Sequence, residues 1–140
     1  MASLVDTNVL VYRHDSRYPK KQAIAERILK EGISRDSVRI AHQAIVEFVA
    51  ATTKPVQDGR SILEPADARR EAEELLAQFT LLYPNDDVLR TALRGAAAYG
   101  LAWFDAHMWA YAEVYGLEEL ISEDFQEDRL YGRVKILNPF

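Results

Sequence analysis

Apolar residues along this chain follow two kinds of spacing, and the two alternate. Leu4 and Val5 form a short apolar run that breaks into Asp6-Thr7-Asn8 before Val9, Leu10 and Val11. A run of that length bounded by polar residues reads as a buried strand. Ile24, Ala25, Ile28 and Leu29 then repeat at helical spacing, between Pro19 where helices commonly start and Gly32 where they commonly stop. Val38 and Ile40 flank Arg39 in strand alternation. A helix is predicted from about Gln43 to Thr53, with Ile45, Phe48, Val49 and Thr52 as its stripe. KPVQDGRSILEP, holding Pro55, Gly59 and Pro65, reads as a loop or arm. A further helix is predicted from Ala66 to Phe79, then a strand over Leu81-Leu82-Tyr83. Asn85 is placed to cap a helix with Asp86 and Asp87 in its first turn, ending at Gly100. Phe104, Met108, Ala112 and Tyr115 stripe the next helix, and Trp103, Phe104 and Trp109 read as core rings. Leu120-Ile121 and Val134-Lys135-Ile136-Leu137 are the last short strands. Strands alternating with helices predict an α/β fold, a three-layer α/β/α sandwich around a mainly parallel sheet.

Composition narrows this picture without redirecting it. With 140 residues, no repeat and no composition break, one domain over 1–140 is expected. An apolar fraction of 49% and a charged fraction of 28% suit a packed globule rather than a disordered chain. There is no signal-like leader or bilayer-length apolar run, so a soluble, cytoplasmic protein with no membrane partner is expected. Zero cysteines exclude disulfides and thiolate metal sites. A net charge of −5 argues against binding nucleic acid through a general basic field. The basic clusters at Lys20, Lys21, Arg27, Lys30, Arg35 and Arg39, and at Arg129, Arg133 and Lys135, read as solvated faces.

Candidate chemistry lies in four acids. Asp6 stands at the mouth of a buried strand, where ligands bind in open parallel sheets. Glu47 has Ala44, Ala50 and Ala51 as its helical neighbours, which leaves room beside it. Asp105 opens a helix after Trp103-Phe104, where an N-cap role competes with a ligand role. Asp124 lies in Ser122-Glu123-Asp124-Phe125, with a turn role open to it and Glu123 and Asp128 as nearby competitors. All four follow a strand or open the helix after one, and in a parallel sheet such positions converge on one edge. Four carboxylates that close repel, and a divalent cation removes the conflict. Oxygen-only donors suit Mg²⁺ or Mn²⁺. His14, His42 and His107 have no ligand spacing and read as surface or core residues. No Gly-rich phosphate loop or nucleophile elbow is present.

Four blocks carry a family resemblance over nearly the whole chain: SLVDTNVLVY, HQAIVEFVAATTK, AWFDAHMWAYAEVYG and ISEDFQEDRLYGRVKILNPF. Together they resemble the PIN-domain family, and within it the VapC-type toxins of VapBC toxin–antitoxin pairs. The resemblance implies a sheet of about five strands and a metal-dependent endoribonuclease. Its four acidic positions fall on Asp6, Glu47, Asp105 and Asp124, with Thr7, Asn8 and Ser122 supporting them. It implies hydrolysis of RNA phosphodiesters by a metal-activated water. A cognate antitoxin covering the pocket with a basic or aromatic segment, and a homodimer, are implied as well. Glu127-Asp128-Arg129 departs from the family's usual His-Gly or Asp-Gly pair. Other readings are a non-cleaving PIN-fold adaptor, a receiver-type domain and an aspartyl-phosphate phosphatase. Asp6 has no acid beside it for the second, and Asn8 stands where the third needs an Asp.

Overall fold

The computed structural model describes residues Met1–Phe140. Its centre is a sheet of strands β1 (Ser3–Val5), β2 (Val38–Ala41), β5 (Thr80–Leu82), β6 (Glu119–Ile121), β7 (Leu130–Tyr131) and β8 (Val134–Leu137). They lie in the order β5-β2-β1-β6-β8-β7. Five are parallel, and only β7 runs antiparallel, against β8. Helices α1 (Thr7–Tyr12), α2 (Pro19–Arg35), α3 (His42–Thr53), α4 (Pro65–Gln78), α5 (Asp86–Tyr99) and α6 (Trp103–Val114) flank it as an α/β/α sandwich. No helix is long and apolar enough to cross a membrane.

β1 is central because both its neighbours need it. Leu4 and Val5 are fully buried and pair with β2 on one side and β6 on the other. The chain leaves β1 toward one flank of the sheet and returns later to the other, so β1 borders a topological switch point. Leu120, Ile40, Ile136 and Phe48 complete the core around it. Helix α6 runs deep, with Ala106 and then Met108 through Ala112 buried. It packs closely on α5: a Cβ at Gly95 would meet the Trp109 ring. Trp109 Nε1 also donates to the Tyr131 carbonyl at 2.8 Å.

Several boundaries differ from expectation. Residues Thr7–Tyr12 form a helix, which six residues opening on polar side chains do not announce. Helix α2 passes through Gly32, whose missing side chain makes room for Val38, and stops at Asp36 in the left-handed region. The expected loop after α3 holds a hairpin, β3 (Pro55–Gln57) with β4 (Arg60–Ser61), turned by Asp58 and Gly59 at positive φ. Trp109 is a core ring as expected, but Trp103 and Phe104 are 42% and 64% exposed. They precede the buried stretch of α6, so the first turn stands clear of the sheet. Tyr115, expected in the stripe, is exposed too.

Candidate metal centre

Asp6 is the first residue beyond β1, and its backbone N–H donates to the Ile121 carbonyl at 2.9 Å. That bond continues the β1–β6 ladder by one residue and locks the start of the site to the sheet. Its side chain then caps α1, accepting from the Thr7 N–H at 2.7 Å. Across the switch point, β6 ends at Ile121 and delivers Ser122 and Asp124. Ser122, fully buried, donates its hydroxyl to Asp6 Oδ2 at 2.7 Å and accepts from the Asp124 N–H at 3.0 Å. Asn8 Nδ2 donates to Asp124 Oδ2 at 3.0 Å.

Asp105 arrives by another route. It sits in the first turn of α6 and is not its N-cap, which is Ala102. No strand precedes it, contrary to the expectation for all four acids; the α5–α6 turn supplies it. The buried remainder of α6 holds that turn over the sheet edge. One carboxylate oxygen each from Asp6, Asp105 and Asp124 lies within 4.8 Å of the others. Glu47 stands outside that set, in the second turn of α3. Thr7 Oγ1 donates to its Oε1 at 2.8 Å, tying it to the residue after Asp6. The helix dipole fades within the first turn, so it acts on Asp105 more than on Glu47.

The electrostatics are those of an incomplete site. Burial pushes the Asp6 carboxyl up to about 7; bonds from Ser122 and Thr7 oppose this, while Asp124 and Asp105 push it further. Asp105 is raised as well, by burial first and then by Asp124 and Glu47. None of the four acids is ion-paired with a Lys, Arg or His. Asn8 Oδ1 is buried beside them with no hydrogen-bond partner. Close oxygens, an orphaned acceptor and no internal cation fit a hard divalent ion.

The neighbouring acids separate cleanly. Glu123 accepts from the Tyr12 hydroxyl and, at 2.9 Å, from Lys21 Nζ, which draws it away from Asp124. Asp128 lies 3.9 Å from Lys135. Sequence reasoning had no local signal for the Tyr12–Lys21 clamp, since Lys21 and Glu123 are remote in the chain. The histidines take no part in the cluster. His14 is half-buried 3.8 Å from Glu71, His42 packs beside Tyr83, and His107 meets the Trp103 ring edge-on.

An α/β/α sandwich with an acidic cluster at a sheet switch point defines a class, and comparison with known proteins narrows it. A sequence profile for the PIN domain matches residues 3–132, and the chain belongs to the PIN domain family. Its fold is that of solved VapC-type toxins. A toxin–antitoxin complex from Klebsiella pneumoniae superposes with a TM-score of 0.71 at 17% identity, covering 99% of this chain and 98% of that one. DNA-bound VapBC from Salmonella typhimurium gives 0.72 at 13% identity, covering 100% and 99%. VapC20 of Mycobacterium tuberculosis, described as a sarcin–ricin loop cleaving toxin, gives 0.59 at 14% identity, covering 85% and 87%. No curated protein matches the sequence.

Proposed function

We propose that this protein is a metal-dependent endoribonuclease and the toxin of a type II toxin–antitoxin pair, acting in the cytoplasm. The observation that carries the reading is the meeting of Asp6, Asp105 and Asp124 without a cation of the chain's own. Membership of the PIN domain family and the toxin–antitoxin neighbours support the biological setting. Asp6, Asp105 and Asp124 would hold Mg²⁺ or Mn²⁺, with Glu47 completing the site directly or through water. Such an ion lowers the pKa of water and offsets charge on the phosphate being cut.

The chain's own residues do the rest. Through one hydroxyl, Ser122 holds the Asp6 carboxylate and the Asp124 backbone N–H, and Asn8 holds the Asp124 carboxylate. Thr7 engages one oxygen of Glu47 and leaves the other to orient an attacking water. The partners are RNA, a cognate antitoxin that covers the acids, and a second copy of the chain. Leu89 and Leu93, one turn apart on α5 and both exposed, offer such association an apolar face.

The test is cleavage of RNA with Mg²⁺ or Mn²⁺, followed by sequencing of the RNA ends after brief expression. Cleavage is expected to vanish in EDTA and in Asp105→Asn. Full activity in both would overturn the proposal.

A further inference from the structure

A groove of about 330 Å³ lies beside the acid site. Its inner end is Thr7 and Asn8, which bond to Glu47 and Asp124. Farther out it is lined by Tyr12 and Tyr18, from α1 and the approach to α2, and by Lys54 and Val56, from the end of α3 and the hairpin. The charge changes sign along it. Asp15 on the wall is neutralised by Arg17, and Glu123 near Tyr12 by Lys21. Lys54 is exposed and has no carboxylate partner, which leaves the outer end positive. The Tyr18 ring meets Tyr12 edge-on at 5.8 Å and is 45% exposed.

We propose that this groove is a subsite for one unpaired nucleotide of the RNA strand, beside the bond that is cut. The base lies against Tyr18 and the apolar Val56, and its phosphate meets Lys54. The inference rests on the ribonuclease reading. Aromatic rings beside a cation are how single strands are held without duplex recognition. The volume lies at the small end of ligand pockets, room for a nucleotide and not for a helix. A basic protein segment drawn to the acids would meet like charge at Lys54, whereas a phosphate meets an opposite one.

The test uses a 5′-fluorescein-labelled single-stranded RNA of mixed sequence, bound in EDTA and then cut with Mg²⁺. Lys54→Gln should lower the slope of log affinity against log salt by roughly 0.7 to 1. Tyr18→Ala should weaken binding by roughly fivefold or more, with Tyr18→Phe restoring it. In cleavage, both losses should fall mainly on KM. Circular-dichroism melts of the variants report that the fold is kept. If the native chain binds and cuts RNA while the variants match it in affinity, salt slope and KM, the subsite is wrong and the ribonuclease reading stands. If the variants lose only capture of a basic peptide, the groove serves a protein partner and the proposal fails. If the native chain neither binds nor cuts RNA, both readings fall together.

Discussion

Asp6 and Asp15 stand on either side of helix α1 and are buried alike, at 5% and 3% exposure. Asp15 receives Arg17 through Nε at 2.9 Å and Nη2 at 2.8 Å, and also the Arg17 N–H at 3.2 Å. Those donors hold its carboxyl below the ordinary aspartate range. Asp6 receives only one hydroxyl and one N–H, and burial first, then Asp124 and Asp105 beside it, push it up to about 7. The residue type and the exposed area are alike, but Asp6 lies deeper, and its loss of water is the largest cause of its rise. The other difference is whether the chain supplies the countercharge. A buried carboxylate closed by its own arginine is architecture; one left open, beside two others, is a place for something from outside.

The largest effect expected from breaking this contrast is on catalysis. Asp105→Asn removes a proposed ligand from a half-exposed helix turn, so folding should survive. RNA cleavage at saturating Mg²⁺ should fall by roughly a hundredfold or more. Retained cleavage in a gel assay, with the fold intact by circular dichroism, would return Asp105 to the role of an ordinary first-turn acid.

Next comes pH. Without metal, folded Asp6 titrates near 7 and the unfolded residue near its ordinary 3.8. The folded state therefore binds this proton more tightly, and its contribution to stability declines as pH rises from about 4 to about 7. The full swing is on the order of 4 kcal/mol. His14 works in the opposite sense: burial pushes it down to about 4, so its contribution is present above 6.5 and is lost as pH falls. Comparing denaturant midpoints of the native chain and Asp6→Asn across pH 4 to 8 isolates the first effect. Asp6→Asn should be the more stable at pH 8 without metal, and saturating Mn²⁺ should reverse the order. Parallel pH curves for the two chains would show that Asp6 is not held open.

Asp15→Asn should do the reverse of Asp6→Asn. It strips Arg17 of its partner and lowers stability by about 1–3 kcal/mol, less than for a fully buried pair because Arg17 is one-third exposed. A calorimetric melt decides it, and a stabilised Asp15→Asn would erase the distinction between the two aspartates.

The part of this site carried by short-range pattern was legible in the sequence. Two apolar residues before Asp6 mark a strand end, and the strand–helix alternation puts β1, β2 and β6 in one parallel sheet. Asn85 caps α5 as read, accepting from the Val88 N–H. The parts that were not legible depend on distant residues or weak local signals. Nothing near Glu123 shows that Lys21 and Tyr12 will hold it, and so nothing local chooses Asp124. Phe104 has the spacing of a core stripe, yet the first turn of α6 overhangs the sheet edge to place Asp105. Helix α1 is too short for periodicity to reveal. The hairpin at 55–61 was hidden because Pro55 and the Asp58-Gly59 turn fit an open loop equally well.

The smallest expected effect tests whether the open aspartate is positioned and not merely present. Ser122 Oγ is shared by Asp6, Asp124 and Asn8, so Ser122→Ala leaves Asp6 Oδ2 and the Asp124 N–H without their bonds. Both acids remain, and only their orientation and the relief of Asp6's charge are lost. Supporting partners of metal ligands contribute about 10–100-fold in affinity. Mn²⁺ binding by calorimetry should therefore weaken by roughly tenfold, with a stability loss of about 1 kcal/mol. A purely structural Ser122 would give the lower melting point with Mn²⁺ affinity unchanged. That result would mean that Asp6 and Asp124 find each other without the hydroxyl, and that the link across the switch point packs the sheet and does not build the site.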